Sequence, residues 1–204
     1  MEEIFSINRV RKVAPSYHNY TTQSKSLTQH YKRQKIFNHH IEGFIDFLNV
    51  KLEHQKREEA QFIICDDKIQ MPYKCYFTRL IGVTREQNYY STLFHELTHW
   101  TGHRKRLKRT SLVMYNSDTK LKTYDSKLCA LEEVTAELGA NMLMEFFQLQ
   151  KSPSYQSLGL INKELSYFDK DTQEQLYIKA AKQANRSFNY LIKQYSQYAK
   201  EANR

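Results

Sequence analysis

The chain has 204 residues, enough for one domain with a hydrophobic core and too few for two sizeable ones. Lysine and arginine outnumber aspartate and glutamate by 31 to 22, so the net charge of +9 favours polyanionic partners without proving one. The absence of a membrane-length apolar run, a secretory signal and a Cys-x-x-Cys pair excludes a membrane partner and a thiolate zinc site, and predicts a cytoplasmic protein.

The first third of the chain is polar, then helical, then extended. Residues 1–26 show no sustained period and predict a flexible or irregular N-terminal arm, ahead of one domain over residues 27–204. Apolar side chains recur at helical spacing between residues 27 and 54, which predicts an amphipathic helix. Two short apolar runs, Phe62–Cys65 and Ile69–Met71, flank an Asp-Asp-Lys turn and predict a small hairpin.

Helices dominate the prediction for the rest of the chain. One helix is expected to start near residues 86–88 and to run through His99, with Gly102 as its C-terminal stop. Residues 110–125 are polar and aperiodic, which predicts a loop that borders a cleft. Further helices are predicted over residues 126–149, 154–168 and 172–200. The sequence therefore predicts an α+β, mainly helical fold with a small β-sheet.

One of these helices carries His95, Glu96 and His99 in the spacing His-Glu-x-x-His. Residues four apart on a helix lie one above the other, so the imidazoles of His95 and His99 can bind one Zn²⁺. Glu96 is rotated by about 100° from His95, which keeps it off the metal but beside the position of a bound water. The motif predicts Zn²⁺ as the cofactor, the two histidines as ligands and Glu96 as the catalytic base.

A catalytic zinc needs a third protein ligand. Gly102 stands where metzincins carry a glycine, but Lys105 occupies the place of their third histidine, so that pattern fails. Glu133 and Glu137 lie four residues apart on an otherwise apolar helix, where buried carboxylates need a compensating partner. We therefore predict Glu133 as the ligand and Glu137 as the hydrogen-bond partner of a ligand histidine. The reverse assignment, or Glu132 as the ligand, stays open.

Further candidate residues surround the motif. The oxyanion of a tetrahedral intermediate needs a donor, and His103, Tyr115 or Tyr124 can supply it or contact the substrate. A basic run after the motif is a candidate nucleic-acid contact, because exposed cations bind phosphates with little sequence preference. The members of this run are Arg104, Lys105, Arg106, Lys108 and Arg109.

Four stretches, within a likeness over residues 41–195, resemble the zincin-like metallopeptidase domain of ArdC antirestriction proteins and of polyvalent proteins of phages and conjugative plasmids. They are YYSTLFHELTHWTGHRKRL (89–107), DDKIQMP (66–72), LEEVTAELGANML (131–143) and AAKQANRSFNYLI (180–192). The resemblance implies a zincin-like fold with an active-site helix, in which His95, His99 and an acid of residues 132–137 bind zinc and Glu96 is the base. It also implies a role on mobile DNA, in helping incoming DNA to escape host restriction.

The leading interpretation is a gluzincin-like zinc peptidase of a mobile genetic element that acts in antirestriction or defence evasion. Its expected partner is a protein or peptide substrate such as a host protein. The alternative is a DNA- or protein-binding antirestriction factor that uses a basic surface and a structural zinc. A third interpretation is a peptidase that cleaves one host regulator.

Overall fold

A computed structural model describes most of the chain, namely residues 39–56, 59–78, 83–115, 126–149 and 154–202. These residues fall into two compact units. The larger lies within residues 48–194, and the smaller combines residues 39–47 with residues 195–202. The predicted N-terminal arm lies outside the described residues, so the predicted division into arm and domain stays a prediction.

The larger unit contains a three-stranded sheet of β1 (Lys51–Gln55), β2 (Gln61–Ile63) and β3 (Lys68–Pro72). Strands β2 and β3 pair antiparallel, which confirms the predicted hairpin. On its other side β3 pairs in parallel with β1, so the strand order is β1-β3-β2.

The prediction of a helix up to residue 54 is wrong at its C-terminal end. The helix, here called α1, ends at residue 47, and Asn49 adopts a left-handed φ of 51°, a conformation that commonly stops a helix. The segment that follows is β1, which is held by its pairing with β3. The paired residues are seventeen positions apart in the sequence, as Lys51 and Lys68 are. Periodicity cannot reveal such a parallel, non-local pairing.

Helices make up most of the described chain, which confirms the mainly helical α+β prediction. After α1 (39–47), the helices are α2 (Arg85–Thr101), α3 (Thr110–Tyr115), α4 (Ser126–Phe146), α5 (Ser154–Leu165) and α6 (Lys170–Ala202). No helix in these ranges has the length and apolar character that a bilayer crossing requires. The predicted loop is wrong over residues 110–115, which form a short helix of six residues. Burial of Ser111 and Leu112 stabilises this helix.

Helix α2 is set in place at both ends by its sequence. Thr84 and Gln87 form a capping box at its start: the Thr84 hydroxyl accepts from the Gln87 N–H, and the Gln87 side chain accepts from the Thr84 N–H. Gly102 ends the helix, as predicted. Between these ends Phe94 and Leu97 are fully buried, so the helix crosses the core.

Helix α4 packs on two sides. Its Leu131 and Val134 join an apolar cluster with Ile161 and Leu165 of α5 and with residues of α6. On another side it approaches α2 closely at Gly139, where an added Cβ would lie 2.5 Å from Cγ2 of Thr98. This close approach brings the acidic residues of α4 against the histidines of α2.

Replacing Gly139 with alanine should lower the free energy of unfolding by about 1–3 kcal/mol, because the new methyl group pushes α2 and α4 apart. Gly159→Ala is the matched control, since Gly159 is exposed in α5 and an added Cβ meets no atom within 4 Å. That variant should gain about 0.5–1 kcal/mol from helix propensity. Chemical denaturation measures both, and equal effects of the two substitutions would contradict the close helix contact.

The smaller unit has an aromatic interior. Ile41 and Phe44 of α1 are fully buried. The ring of Phe44 meets that of Tyr195 edge-on, with centroids 5.2 Å apart, and Gly43 lies directly against the Tyr198 side chain. Aromatic edge-to-face packing of this kind stabilises a small core beyond the area that it buries.

Candidate metal centre

His95 and His99 on α2 face Glu133 on α4. The Nε2 atoms of the two histidines are 3.2 Å apart. Glu133 Oε2 lies 3.4 Å from His95 Nε2, and Glu133 Oε1 lies 3.7 Å from His99 Nε2. One ligand atom of each residue lies within 4.8 Å of the other two. The structure thus brings together the three residues predicted as metal ligands.

The spacing of these atoms fits a small tetrahedral cation. Zinc binds imidazole nitrogen and carboxylate oxygen at about 2.0–2.2 Å, so two neighbouring ligand atoms of a tetrahedral site are about 3.3–3.5 Å apart. The separations of 3.2 Å and 3.4 Å measured here are close to that value. Two imidazoles and one carboxylate are also the donor set of catalytic zinc sites that keep a fourth position open.

A carboxylate lies behind each imidazole. Glu132 Oε1 is 3.0 Å from Nδ1 of His99, and Glu137 Oε2 is 3.5 Å from Nδ1 of His95. Such partners hold the proton on Nδ1 and leave the Nε2 lone pair for a metal. Glu137 therefore lies where the prediction placed it, and Glu132, which the prediction left open as a ligand, faces the opposite nitrogen of His99.

The surroundings of the two imidazoles are strongly negative. Burial disfavours the charged form of His95, but the carboxylates of Glu133 and Glu137 outweigh it and raise the pKa of this histidine to about 10. Burial also opposes ionisation of Glu132, yet hydrogen bonds from His99 and Arg109 lower the pKa of this carboxyl to about 2. The space between α2 and α4 therefore favours positive charge.

Glu96 lies beside the histidines on the same helix. Its side chain is buried, with 7 % of the residue exposed. Within the described ranges its carboxylate makes no hydrogen bond to another residue. A carboxylate that is shielded from bulk water and not engaged elsewhere can exchange a proton with a water in the site.

The predicted nucleic-acid contact of Arg109 is wrong. Arg109 is 5 % exposed, and its guanidinium binds both oxygens of Glu132 at 2.6 Å and 3.0 Å. A buried guanidinium in a bidentate pair cannot reach a phosphate backbone. Ser111, which no motif singled out, donates to the same carboxylate at 2.7 Å.

Arg106 also turns inward. Its guanidinium pairs with both carboxylate oxygens of Asp67 and lies over the ring of Trp100, 3.7 Å from the centroid. The predicted nucleic-acid contact of Arg106 is therefore corrected as well, because its donors are already occupied. Arg104, Lys105 and Lys108 are exposed, so their predicted contact with nucleic acid stays a prediction.

Of the residues predicted to serve the oxyanion, the structure describes the side chain of His103 alone, and the contacts that it makes within the described residues are not with the three predicted metal ligands. His103 is 3 % exposed, and its Nδ1 lies 3.5 Å from Asp67 in the β2–β3 turn while its ring meets Phe62 edge-on. Burial lowers the pKa of His103. The Tyr115 side chain and all of Tyr124 lie outside the described residues, so their roles stay predictions.

The chain is similar to proteins of known family and structure. Residues 39–183 match the profile of a family described as zincin-like metallopeptidase. The metal-free crystal structure of antirestriction ArdC protein from the R388 plasmid gives a TM-score of 0.53 and 25% identity, over 76% of this chain and 50% of that one. The Mn(II)-bound structure of the same protein gives 0.49 and 24%, over 76% and 51%. The chain spans about half the length of these structures, and no curated protein matches it.

Proposed function

Because this chain belongs to the zincin-like metallopeptidase family, we propose that it is a zinc-dependent peptidase with His95, His99 and Glu133 as its metal ligands. The observation that carries the proposal is the meeting of three ligand atoms from two helices within 4.8 Å of one another, with two separations, 3.2 Å and 3.4 Å, close to those of a tetrahedral site. A carboxylate behind each imidazole supports it, since such pairs are typical of zinc-bound histidine.

The proposed roles of the side chains follow from their positions. When bound, Zn²⁺ supplies a Lewis acid that lowers the pKa of a water and polarises the scissile carbonyl. Glu96 accepts the proton of the attacking water and delivers it to the leaving amine. Glu132 and Glu137 hold the two imidazoles in the orientation that presents Nε2 to the ligand position.

The proposed substrate is a protein or peptide, and the proposed setting is antirestriction or defence evasion on a mobile genetic element. Support comes from the structural neighbour, which is described as an antirestriction protein. The test is incubation of the metal-loaded chain with a peptide library made from a host proteome, followed by mass spectrometry of new termini. Cleavage that is lost with chelator and restored by zinc supports the proposal, and cleavage that persists without metal contradicts it.

We propose as a second candidate that the exposed cations Arg104, Lys105 and Lys108 contact nucleic acid, because they project from the turn that follows the metal-binding helix. Reversing their charges should weaken binding to DNA and reduce the salt slope of log K by about 0.9 for each phosphate that the protein no longer neutralises. Reversal of Lys179, Lys182 and Lys193, which are exposed on α6, is the control of equal charge. Equal weakening in both variants would contradict a contact specific to this turn.

A further inference from the structure

We infer that Arg109 is a positioning residue for the metal centre: through Glu132 it fixes the orientation of His99. The inference rests on the proposed metal site and assigns Arg109 a role within it. This one guanidinium donates several hydrogen bonds in the core. Besides Glu132, its acceptors are Thr101 Oγ1 at 2.9 Å, Ser187 Oγ at 2.6 Å and the carbonyl oxygen of Thr98 at 2.7 Å.

The backbone after α2 is shaped to return Arg109 to that helix. Gly102 ends the helix, and its carbonyl oxygen accepts from the Arg109 N–H at 2.9 Å. Lys108, with a φ of 52°, supplies the left-handed residue of the turn. An added Cβ at Gly102 would lie 2.7 Å from the guanidinium carbon, so glycine leaves the space that the Arg109 side chain fills.

Glu132 is the link between this arginine and the metal centre. Its Oε1 accepts from Arg109 Nη2 and His99 Nδ1, and its Oε2 accepts from Arg109 Nε and Ser111 Oγ. Four donors fill the acceptor capacity of one carboxylate. Because Glu132 is fully buried and held on every side, it has no room to rotate away from His99. The imidazole is therefore fixed with Nε2 towards His95 and Glu133.

The C-terminal helix holds the arginine from the other side. Ser187 on α6 accepts from Arg109 Nη1, and its own hydroxyl donates to the Gln183 carbonyl oxygen at 3.1 Å. Arg109 thus ties the end of α2 to α4 and α6. The planar guanidinium can donate to acceptors on all three helices at once. The single ammonium group of a lysine cannot replace it.

The test compares Arg109→Lys with Arg106→Lys in the full chain. The two arginines lie in the same turn, and each substitution removes a mostly buried guanidinium that is paired with an acid. Arg106 pairs with Asp67, however, and not with a partner of His99. Zinc affinity is measured by competition with a chelator, and the absorption spectrum of the Co²⁺ form reports the geometry of the ligands. We expect Arg109→Lys to weaken zinc binding about 10- to 100-fold and to change the spectrum. Arg106→Lys should leave both as in the wild type.

Zinc affinity and a Co²⁺ spectrum that are the same in Arg109→Lys as in the wild type would overturn the inference while leaving the proposed metal site intact. Equal weakening by both substitutions would overturn it too, because the effect would then be one of general stability. A wild type that binds no zinc would overturn the inference together with the proposed function. If Arg109→Lys does not fold, Ser187→Ala, which removes one acceptor of the guanidinium, is expected to weaken zinc binding in the same direction, and an unchanged affinity would contradict the inference.

Discussion

Replacing Glu96 with glutamine should leave zinc binding intact and lower the rate of peptide hydrolysis about 10²- to 10⁴-fold. Glutamine has the shape of glutamate but cannot accept a proton from the attacking water. The residue is buried beside the two histidines, so bulk water does not readily replace it as a base. Zinc content and hydrolysis rate, measured on the same preparation, separate loss of the base from loss of the metal.

Glu86→Gln is the matched control for this substitution. Glu86 lies in the first turn of the same helix, but it is exposed and lies nine residues, or more than two helical turns, before His95. Its replacement should change neither zinc content nor rate. A Glu96→Gln protein that hydrolyses substrate as fast as Glu86→Gln would show that Glu96 is not the base.

Replacing Glu132 with leucine should lower the free energy of unfolding of the metal-free protein by about 3–5 kcal/mol, because it leaves the charge of Arg109 buried without its partner. Arg109 is 5 % exposed and Glu132 is fully buried, so water cannot take the place of the missing carboxylate. The double substitution Glu132→Leu with Arg109→Met should recover most of this loss, since apolar groups of similar size often replace a buried ion pair at little cost. Denaturant titration of the single and double variants measures the difference.

Glu53→Leu is the control, because Glu53 pairs with Lys68 at an exposed edge of the sheet. Its loss should barely move the denaturation midpoint, as is usual for surface ion pairs. A Glu132→Leu variant as stable as Glu53→Leu would contradict the account of the buried pair. A double variant no more stable than Glu132→Leu alone would contradict the argument that an unpaired charge causes the loss.

The residues of the candidate site could be predicted where helical spacing alone determines their position. His95 and His99 lie one turn apart on α2, and the same spacing places Glu133 and Glu137 together on α4. Glu132 could not be assigned from sequence, because it is offset by about 100° from Glu133 and both acids lie on a helix with apolar neighbours. The contact of α2 with α4 decides which acid meets which imidazole nitrogen.

The inward turn of Arg106 and Arg109 could not be predicted from the basic run. Six neighbouring positions with this composition usually form a solvated surface, and nothing in their order shows which cations are buried. The choice depends on the left-handed residue Lys108 and on acids distant in sequence, Asp67 and Glu132. The parallel pairing of β1 with β3 escaped prediction for the same reason, because its partner is distant along the chain.

The most direct test of the central claim is the zinc content of the purified chain, determined by elemental analysis for the wild type, Glu133→Ala and Glu137→Ala. We predict about one zinc per wild-type chain, as three protein ligands and one open position imply. Glu133→Ala should lose the metal, and Glu137→Ala should bind it about 10- to 100-fold more weakly. A wild type without zinc even after reconstitution, or a Glu133→Ala protein that retains a full equivalent, would contradict the assignment of His95, His99 and Glu133 as a zinc site.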